Sequence, residues 1–402
     1  MRLTEKEQAM LNGEMGPGFA RAMRVLVGIG KAFGAERMVP ISRGHISLSN
    51  QDLWFVSKLL EEQAHCMVPP TVNPAYDYEY FKTISKLDEE NERTLKSTID
   101  VYRKLGAILT FDCTPFFENN VPRFGEICSF SASGGAVYVN SVLGARTNRE
   151  AAQSAMCAAI TGVTPEYGLL LEQNRAGDVL IQVEADVDSE YDYELLGYIT
   201  PKKMGQAYHC PVFNGLSKQT TSEQLMDLGT QLNIHGIVPM FHVVGVTPEA
   251  ADVHTAFLGR KDPPVVTITN EDLAQARAEI SAGTGKADFC ILGCPHLTIN
   301  QVGSIAKMLD GQQLAGQLYI FTSTSTKELA QRMGYLDIIH KAGGEIVINS
   351  CVDQPCWSHL YGMSGVTESP KCAYYTKRWN MTFTVKSIPA CIQSVLKGEI
   401  VS

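Results

Sequence analysis

The chain has 402 residues, 45% of them hydrophobic, and a formal net charge of −9 at pH 7. This acidic balance, without any dense cluster of Lys and Arg, argues against nucleic acid as a partner, because nucleic-acid binding needs a basic face. No apolar run reaches the roughly 18–20 residues of a membrane span, and the charged N-terminus MRLTEKEQAM lacks the apolar core of a signal peptide. We therefore expect a cytoplasmic protein with neither a nucleic-acid nor a membrane partner.

Helix signals are strong near the N-terminus. Thr4 and Glu7 fit a capping box, and Gly13 is placed to end that first helix. An amphipathic helix is predicted next in RAMRVLVGIGKAFG. The segment RMVPISRGHISLSN then predicts a short strand that runs into a loop around His45.

Strands and helices alternate from there on. The next predicted elements are a helix in DLWFVSKLLEEQA, a strand in HCMVPP, a loop in TVNPAYDY, a helix in NERTLKSTIDVYRKLG and a strand in AILTFD. The C-terminal half has predicted strands in PVVTIT, ADFCILG, LYIFTST and EIVINS, separated by helical segments. From Gly365 onward we expect the alternation to stop. This order predicts an α/β fold with largely parallel sheets.

Three of the eleven cysteines directly follow predicted strands. Cys113 comes after AILTFD, Cys294 after ADFCILG and Cys351 after EIVINS. Ligands of parallel α/β sheets collect beyond the carboxyl ends of the strands, so we expect these thiols to converge. Three thiolates suit an iron–sulfur cluster with one iron left open to substrate. The alternative is that three buried thiols fall at strand ends by chance.

The neighbours of Cys294 are less informative. Cys290 lies deeper in the same strand and is expected in the core. His296 leaves three alternatives open: a fourth metal ligand, a hydrogen-bond donor to substrate, or a loop histidine bonded to a carbonyl. A zinc site built from His296 and the three cysteines is a rival prediction, because structural zinc prefers four ligands.

The segment SFSASGGAVYVNSVLGARTNRE, residues 129–150, is suited to an anion. Ser133 and Gly134 precede an apolar stretch, and a helix beginning there would add its positive end. Arg146 and Arg149 could each clamp an anion or form a structural salt bridge. The loops GHISLSN and TVNP are expected on the same rim as the cysteines.

Several motifs resemble the large, catalytic subunit of the aconitase X family. They are LTEKEQAMLNGEMG, GAERMVPISRGHIS, PPTVNP, DCTPFFENNVPRFGE, NSVLGARTNRE, LLGYI, GCPHLT and INSCV, which span nearly the whole chain. The resemblance implies an aconitase-like α/β fold with parallel-sheet lobes around a central iron–sulfur site. We expect two to three lobes, at about 1–190 and 191–370, with a crossing segment at 371–402.

The resemblance also implies a hydro-lyase that removes water from a small hydroxy acid. Family activities are dehydration of cis-3-hydroxy-L-proline, in bacteria, and of (R)-5-phosphomevalonate to trans-anhydromevalonate 5-phosphate, in archaea. We expect hydroxyproline or a related acid here, because the sequence does not locate enough positive charge for a phosphate. A degenerate, non-catalytic cluster-binding subunit is a further alternative.

Family roles map onto individual positions of this chain. The cluster, expected as 4Fe–4S with 2Fe–2S or 3Fe–4S as alternatives, would be held by Cys113, Cys294 and Cys351. Lys371 would neutralise charge during the reaction. Substrate would be contacted by Leu48, Ser49, Asn50, Asn73, Pro74, Ser133 and Gly134.

Two departures from the family pattern concern the substrate. This chain has Leu48-Ser49-Asn50 where the family usually reads Gly-Val-Ser, and Ser133-Gly134 where it usually reads Glu-Ser. The missing carboxylate alters the expected pocket, and with it the substrate or the activity. The family's swivelling domain, which supplies a serine as base, is absent here, so a separate small subunit is expected as partner.

Overall fold

Four β-sheets, three of them entirely parallel, organise the chain in a computed structural model that describes residues 1–48 and 50–401. The helices between the strands cover these sheets, which confirms the predicted α/β class. In the part of the chain so described, no helix is both long and apolar enough to cross a membrane.

The first helix begins and ends where the sequence predicts. The Thr4 N–H donates to Glu7 Oε2 at 2.8 Å, while the Glu7 N–H donates to the Thr4 hydroxyl. Helix α1 therefore runs Glu5–Asn12, and Gly13 ends it with a φ of 87°, which glycine adopts without strain.

The N-terminal third forms a three-stranded parallel sheet and a two-stranded antiparallel one. Its strands are β1 (Met38–Pro40), β2 (Arg43–Ile46), β3 (Thr71–Val72), β4 (Cys128–Phe130) and β5 (Val163–Pro165). Its other helices are α2 (Pro17–Ala32), α3 (Leu53–Glu61), α4 (Tyr78–Phe81), α5 (Glu89–Leu105), α6 (Ser133–Ser141) and α7 (Ala152–Thr161). The parallel sheet has the order β3-β2-β4, and β1 pairs with β5.

The middle of the chain forms a four-stranded parallel sheet. Its elements are β6 (Val179–Val183), α8 (Glu190–Met204), β7 (Pro211–Asn214), α9 (Ser222–Gly236), β8 (His242–Val243), α10 (Val253–Ala256), β9 (Val265–Ile268) and α11 (Asn270–Ile280). The order is β8-β7-β6-β9, and α8 packs against α9.

The C-terminal part forms a five-stranded parallel sheet. Its elements are β10 (Phe289–Leu297), α12 (Ile299–Leu309), β11 (Gln317–Thr322), α13 (Thr324–Arg332), α14 (Tyr335–Ala342), β12 (Gly344–Val347), β13 (Ser364–Thr367), α15 (Pro370–Thr376), β14 (Thr382–Val385) and α16 (Ile388–Lys397). The order is β12-β11-β10-β13-β14. The expectation that alternation stops after Gly365 is wrong, because β13 and β14 complete this sheet.

Three local predictions in the N-terminal third are also wrong. His45 lies within β2 and not in a loop. The strand expected in HCMVPP forms instead over Thr71–Val72, which was expected to be a loop. AILTFD forms no regular strand, since only Ile108 makes an isolated bridge, to Thr71. Short apolar runs beside prolines do not define their own strand bounds, because sheet pairing decides which residues become extended.

Strand β10 extends further than its apolar run. It continues through Cys294, Pro295 and His296, but its pairing with β11 becomes irregular after Leu292. Gly293 has a φ of 106°, and a Cβ there would lie 2.2 Å from the Phe321 carbonyl oxygen. Cys294 therefore sits at a break in the ladder, not after the last strand residue.

The three-stranded and five-stranded sheets meet along a seam. The Cys351 N–H donates to the Ala75 carbonyl at 2.9 Å, and Ala75 forms a bridge with Ser350. The Asp77 N–H donates to the Ser350 hydroxyl at 2.9 Å. These contacts bring the carboxyl ends of both sheets onto one region. The proposed division into lobes stays a prediction.

Candidate active site

A cavity of about 440 Å³ lies where the carboxyl ends of the two sheets meet. Neighbouring strands of the three-stranded sheet each contribute to it: Asn73 and Pro74 follow β3, Leu48 and Asn50 follow β2, and Ser133 follows β4. The prediction that these loops share one rim with the cysteines is confirmed. Such an edge is where α/β sheets bind ligands.

Buried His45 fixes the position of Asn73. Its Nδ1 lies 2.8 Å from the Thr71 hydroxyl and its Nε2 lies 2.6 Å from Asn73 Oδ1. Asn120 donates to the same Thr71 hydroxyl at 2.8 Å. Burial lowers the pKa of His45 to about 4, so the ring is neutral near pH 7 and serves as a fixed hydrogen-bonding group.

The amino end of α6 forms another wall of the cavity. The helix begins at Ser133, its N-cap is Ala132, and no side chain of the described residues caps its first amides. Uncapped amides and the positive end of a helix favour an anion. Gly134 does not line the cavity, since a side chain there would point at Thr230, 3.0 Å away. Any role of Gly134 is therefore confined to its backbone.

The three predicted cysteine ligands come together at the base of the cavity. Cys294 and Cys351 line it, while Cys113 lies just behind, with its Sγ accepting the His296 N–H at 3.3 Å. The charge states of all three thiols influence one another. Burial raises the pKa of Cys113 to about 12, although nearby Lys371 acts in the opposite direction. A bound cation would be needed to hold such thiols as thiolates.

His296 supports the bottom of the cavity through hydrogen bonds within the protein. Its Nδ1 lies 3.2 Å from Asp112 Oδ1 and its Nε2 lies 3.0 Å from the Ser350 carbonyl oxygen. Both ring nitrogens thus have protein partners. The alternative of a histidine bonded to a carbonyl holds, although His296 lies in strand β10 and not in a loop. Asp112 in turn accepts the N–H of Thr114 at 2.9 Å, which fixes the loop after Cys113.

The donor set suits a cluster better than a single ion. Across residues 1–48 and 50–401, no three His, Cys, Asp or Glu side chains are arranged to hold one metal ion. The thiols of a cluster stand further apart, because several iron and sulfide atoms lie between them. N–H groups also point at the sulfurs, including that of Asp353 at the Cys351 Sγ, 3.5 Å away, and such hydrogen bonds tune the reduction potential of a cluster.

Positive charge converges on the same cavity. Lys371, Arg149 and Arg378 all line it, and Lys371 and Arg149 form no ion pair with any described residue. Burial alone would lower the pKa of Lys371, but the surrounding thiols raise it above its ordinary value, so the ammonium stays protonated. Arg378 pairs with Asp353 at 2.5 Å.

The two arginines of NSVLGARTNRE have separate roles. Arg149 lines the cavity, whereas Arg146 pairs with Glu172 and donates to the Leu170 carbonyl at 3.1 Å. Ser49, a predicted substrate contact, lies outside the described residues.

Sequence reasoning missed the four charged or aromatic lining residues Asp353, Tyr375, Arg378 and Trp379 near the C-terminus. A signal for two of them was present. Tyr375 and Arg378 follow Lys371 by four and seven residues, which places all three on one helical face.

Fold and site together define an aconitase-like α/β hydro-lyase. Models of the aconitase X first, second and third domains match residues 1–173, 177–278 and 287–397. The chain belongs to the aconitase X family, as the motif resemblance indicated. An aconitase-like family implies an iron–sulfur cluster.

Relatives of two activities are similar to the chain. The phosphomevalonate dehydratase large subunit of Thermococcus kodakarensis is 33% identical, covering 98% of this chain and 99% of the relative. That of Methanothermobacter thermautotrophicus is 35% identical, covering 93% of each. The cis-3-hydroxy-L-proline dehydratase of Pseudomonas aeruginosa is 32% identical, covering 88% of this chain and 63% of the relative. These dehydratases support a hydro-lyase.

The fold agrees with a solved structure of the family. The crystal structure of Thermococcus kodakaraensis aconitase X (holo-form) superimposes with a TM-score of 0.87 at 31% identity, covering 98% of this chain and all of that chain.

Proposed function

We propose that this chain is the large subunit of a heteromeric dehydratase whose substrate is (R)-5-phosphomevalonate. One observation carries the proposal: Arg149 and Lys371, neither of them in an ion pair with a described residue, converge on a cavity whose one described carboxylate, Asp353, is paired with Arg378. A carboxylate and a phosphate together bring about three negative charges, and guanidinium and ammonium groups bind both.

The two candidate substrates differ in their second charged group, which is a phosphate in (R)-5-phosphomevalonate and an ammonium in cis-3-hydroxy-L-proline. cis-3-Hydroxy-L-proline has one carboxylate and an ammonium, and no described carboxylate of the cavity is free to pair with that ammonium. The sequence favoured hydroxyproline because positive charge for a phosphate was not located, and unpaired Arg149 in the cavity wall supports a phosphate instead. Hydroxyproline stays the second candidate, supported by the Pseudomonas relative.

The side chains of the cavity bind and orient this substrate. Ser133 and the first amides of α6, with Asn73, hold the carboxylate, while Arg149 and Arg378, both exposed at the rim, hold the phosphate. Lys371 stabilises the negative charge that develops when the proton next to the carboxylate is removed. The product would be trans-anhydromevalonate 5-phosphate.

The leaving hydroxyl needs an acid. An iron–sulfur cluster on Cys113, Cys294 and Cys351, proposed as 4Fe–4S with 2Fe–2S and 3Fe–4S as alternatives, would supply Lewis-acid chemistry there. Glu368 and Ser369 hold the Cys294 backbone for this purpose. Glu368 accepts the Cys294 N–H at 3.3 Å, and the Ser369 hydroxyl donates to the Cys294 carbonyl at 2.6 Å.

The base is proposed to come from a separate small subunit, as a serine. No histidine lines the described cavity, and its carboxylate is paired with Arg378. Five archaeal relatives with names of the form "large subunit" support such a partner. The chain by itself is then expected to bind substrate without converting it.

Calorimetric binding to the cluster-loaded chain tests the choice of substrate. We expect (R)-5-phosphomevalonate to bind about tenfold or more tightly than unphosphorylated mevalonate, since a charge-assisted contact contributes about 1.5–3 kcal/mol. Equal affinity for the two, or tighter binding of cis-3-hydroxy-L-proline, would argue against the phosphate site.

A further inference from the structure

A second cavity, of about 470 Å³, lies on the other side of strand β10 from the active site. Cys294 faces the active-site cavity, whereas Pro295 and Leu297 line the second one. Helices α8, α9, α12 and α16 complete its walls. We refer to it as the acidic cavity, because no Lys, Arg or His lines it within the described chain and six carboxylates do: Asp188, Glu190, Glu194, Glu223, Asp227 and Glu368.

Hydrogen bonds within the protein stabilise three of these six carboxylates. Glu190 accepts the Gln301 amide at 2.8 Å, and Glu223 accepts the Thr298 hydroxyl at 3.0 Å. Both also lie in the first turn of a helix, where the dipole favours an anion. Glu368 accepts the N–H of Gly293 at 2.6 Å. These carboxylates are part of the fold and require no ligand.

Glu194 and Asp227 differ from these hydrogen-bonded carboxylates because they are buried without a partner among the described residues. They are only 3% and 7% exposed, and both line the acidic cavity. Among residues 1–48 and 50–401, neither carboxylate receives a hydrogen bond or pairs with a cation; the charges that act on them are those of neighbouring acids. Leaving a buried carboxylate without a partner costs free energy, so this pair is poised for a positively charged group.

The remainder of the wall is apolar. Met226, Leu297, Met308 and Ile388 line the same space. A ligand that complements it has an aliphatic body and a cationic end. A divalent metal ion fits less well, because the described carboxylates are not arranged to hold one directly.

We propose that the acidic cavity binds a small aliphatic amine, whose ammonium groups pair with Glu194 and Asp227. A volume of about 470 Å³ is in the range of small-ligand sites. Burial, reinforced by neighbouring carboxylates, raises the pKa of both side chains above the ordinary value, and a cationic group beside them would lower it again. The ligand would lie directly behind the backbone that carries Cys294.

Calorimetric titration of the cluster-loaded chain with putrescine tests the site, with 1,4-butanediol as the uncharged analogue and magnesium chloride as the metal. We expect putrescine to bind, butanediol to bind at least about tenfold more weakly, and E194Q/D227N to weaken putrescine binding by at least about tenfold. The variant E328Q/D337N removes two charges from exposed positions of α13 and α14 and should bind putrescine like the native chain.

Other outcomes overturn the proposal. These are no binding of putrescine, equal binding to E194Q/D227N, equal binding of butanediol, or magnesium displacing putrescine at lower concentration. Because E194Q/D227N replaces two buried acids by neutral amides of nearly the same shape, it is expected to fold, and its thermal unfolding midpoint checks this. If the variant unfolds, the comparison of putrescine with butanediol on the native chain still decides.

Discussion

The backbone N–H of His296 donates a hydrogen bond to the Sγ of Cys113 at 3.3 Å, across 183 residues of sequence. This contact joins the loop after an N-terminal extended segment to strand β10 of the C-terminal sheet. Two of the three proposed cluster ligands, Cys113 and Cys294, are therefore held in one hydrogen-bonded unit. The cluster, if bound there, would link the two halves of the chain.

Replacement of any one ligand cysteine by alanine should remove most of the bound iron. Cys113→Ala, Cys294→Ala and Cys351→Ala each leave too few thiolates for a stable cluster. Iron per chain and visible absorbance after anaerobic purification measure this. Cys290→Ala is the matched control, because Cys290 is buried in β10 outside the cavity and should keep its iron. Undiminished iron in all three ligand variants would refute the assignment.

Arg149→Gln should weaken phosphate recognition. We expect KM for (R)-5-phosphomevalonate to rise roughly tenfold to a hundredfold with little change in kcat, because the phosphate is bound equally in ground and transition states. Steady-state kinetics of the heteromer give both values. Arg146→Gln in the same loop is the control, since Arg146 pairs with Glu172 outside the cavity. Identical kinetics for the two variants would show that Arg149 does not bind the phosphate.

Gly293→Ala should destabilise the fold by about 3 kcal/mol or more, because φ is 106° and the added Cβ would lie 2.2 Å from the Phe321 carbonyl oxygen. Gly28→Ala, in the open middle of α2, has nothing within 4 Å and should instead stabilise by roughly 0.5–1 kcal/mol. Urea unfolding of both variants tests the difference, and a Gly293→Ala protein of native stability would contradict the break in β10 at Gly293.

His45→Gln should reduce the loss of stability in acid. The folded pKa of His45 is lowered from 6.5 to about 4, so between these pH values the unfolded chain binds more protons and acid favours unfolding. The contribution of His45 is complete above pH 6.5 and falls by roughly 3 kcal/mol as pH drops to about 4. Unfolding free energies of native and variant chains should converge over this window, and parallel curves would contradict the prediction.

Much of the site could be read from sequence because it lies at strand ends. Cys294, Cys351, Asn73 and Ser133 each occupy a position that parallel-sheet topology directs to one edge. The alternation of strands and helices fixed that topology well enough to group them. Residue roles transferred by resemblance, such as that of Gly134, were less secure, because its side-chain position faces α9 and not the cavity.

The features that the sequence did not predict depend on tertiary contacts, which leave no local pattern in the sequence. Asp353 reaches the cavity through the segment after β12, and its pairing with Arg378 cannot be inferred from spacing. The extended segment before Cys113 looked like a strand, yet it only bridges Thr71 through Ile108, because β3 pairs along β2 instead. The acidic cavity is invisible in sequence, since its carboxylates come from three separate segments.

The most direct measurement is turnover by the chain, purified anaerobically together with its small subunit. Proton NMR would follow (R)-5-phosphomevalonate and cis-3-hydroxy-L-proline in parallel reactions. The account predicts loss of water from phosphomevalonate, with a kcat/KM well above that for hydroxyproline. Dehydration of hydroxyproline alone, or of neither acid by the iron-loaded heteromer, would contradict it.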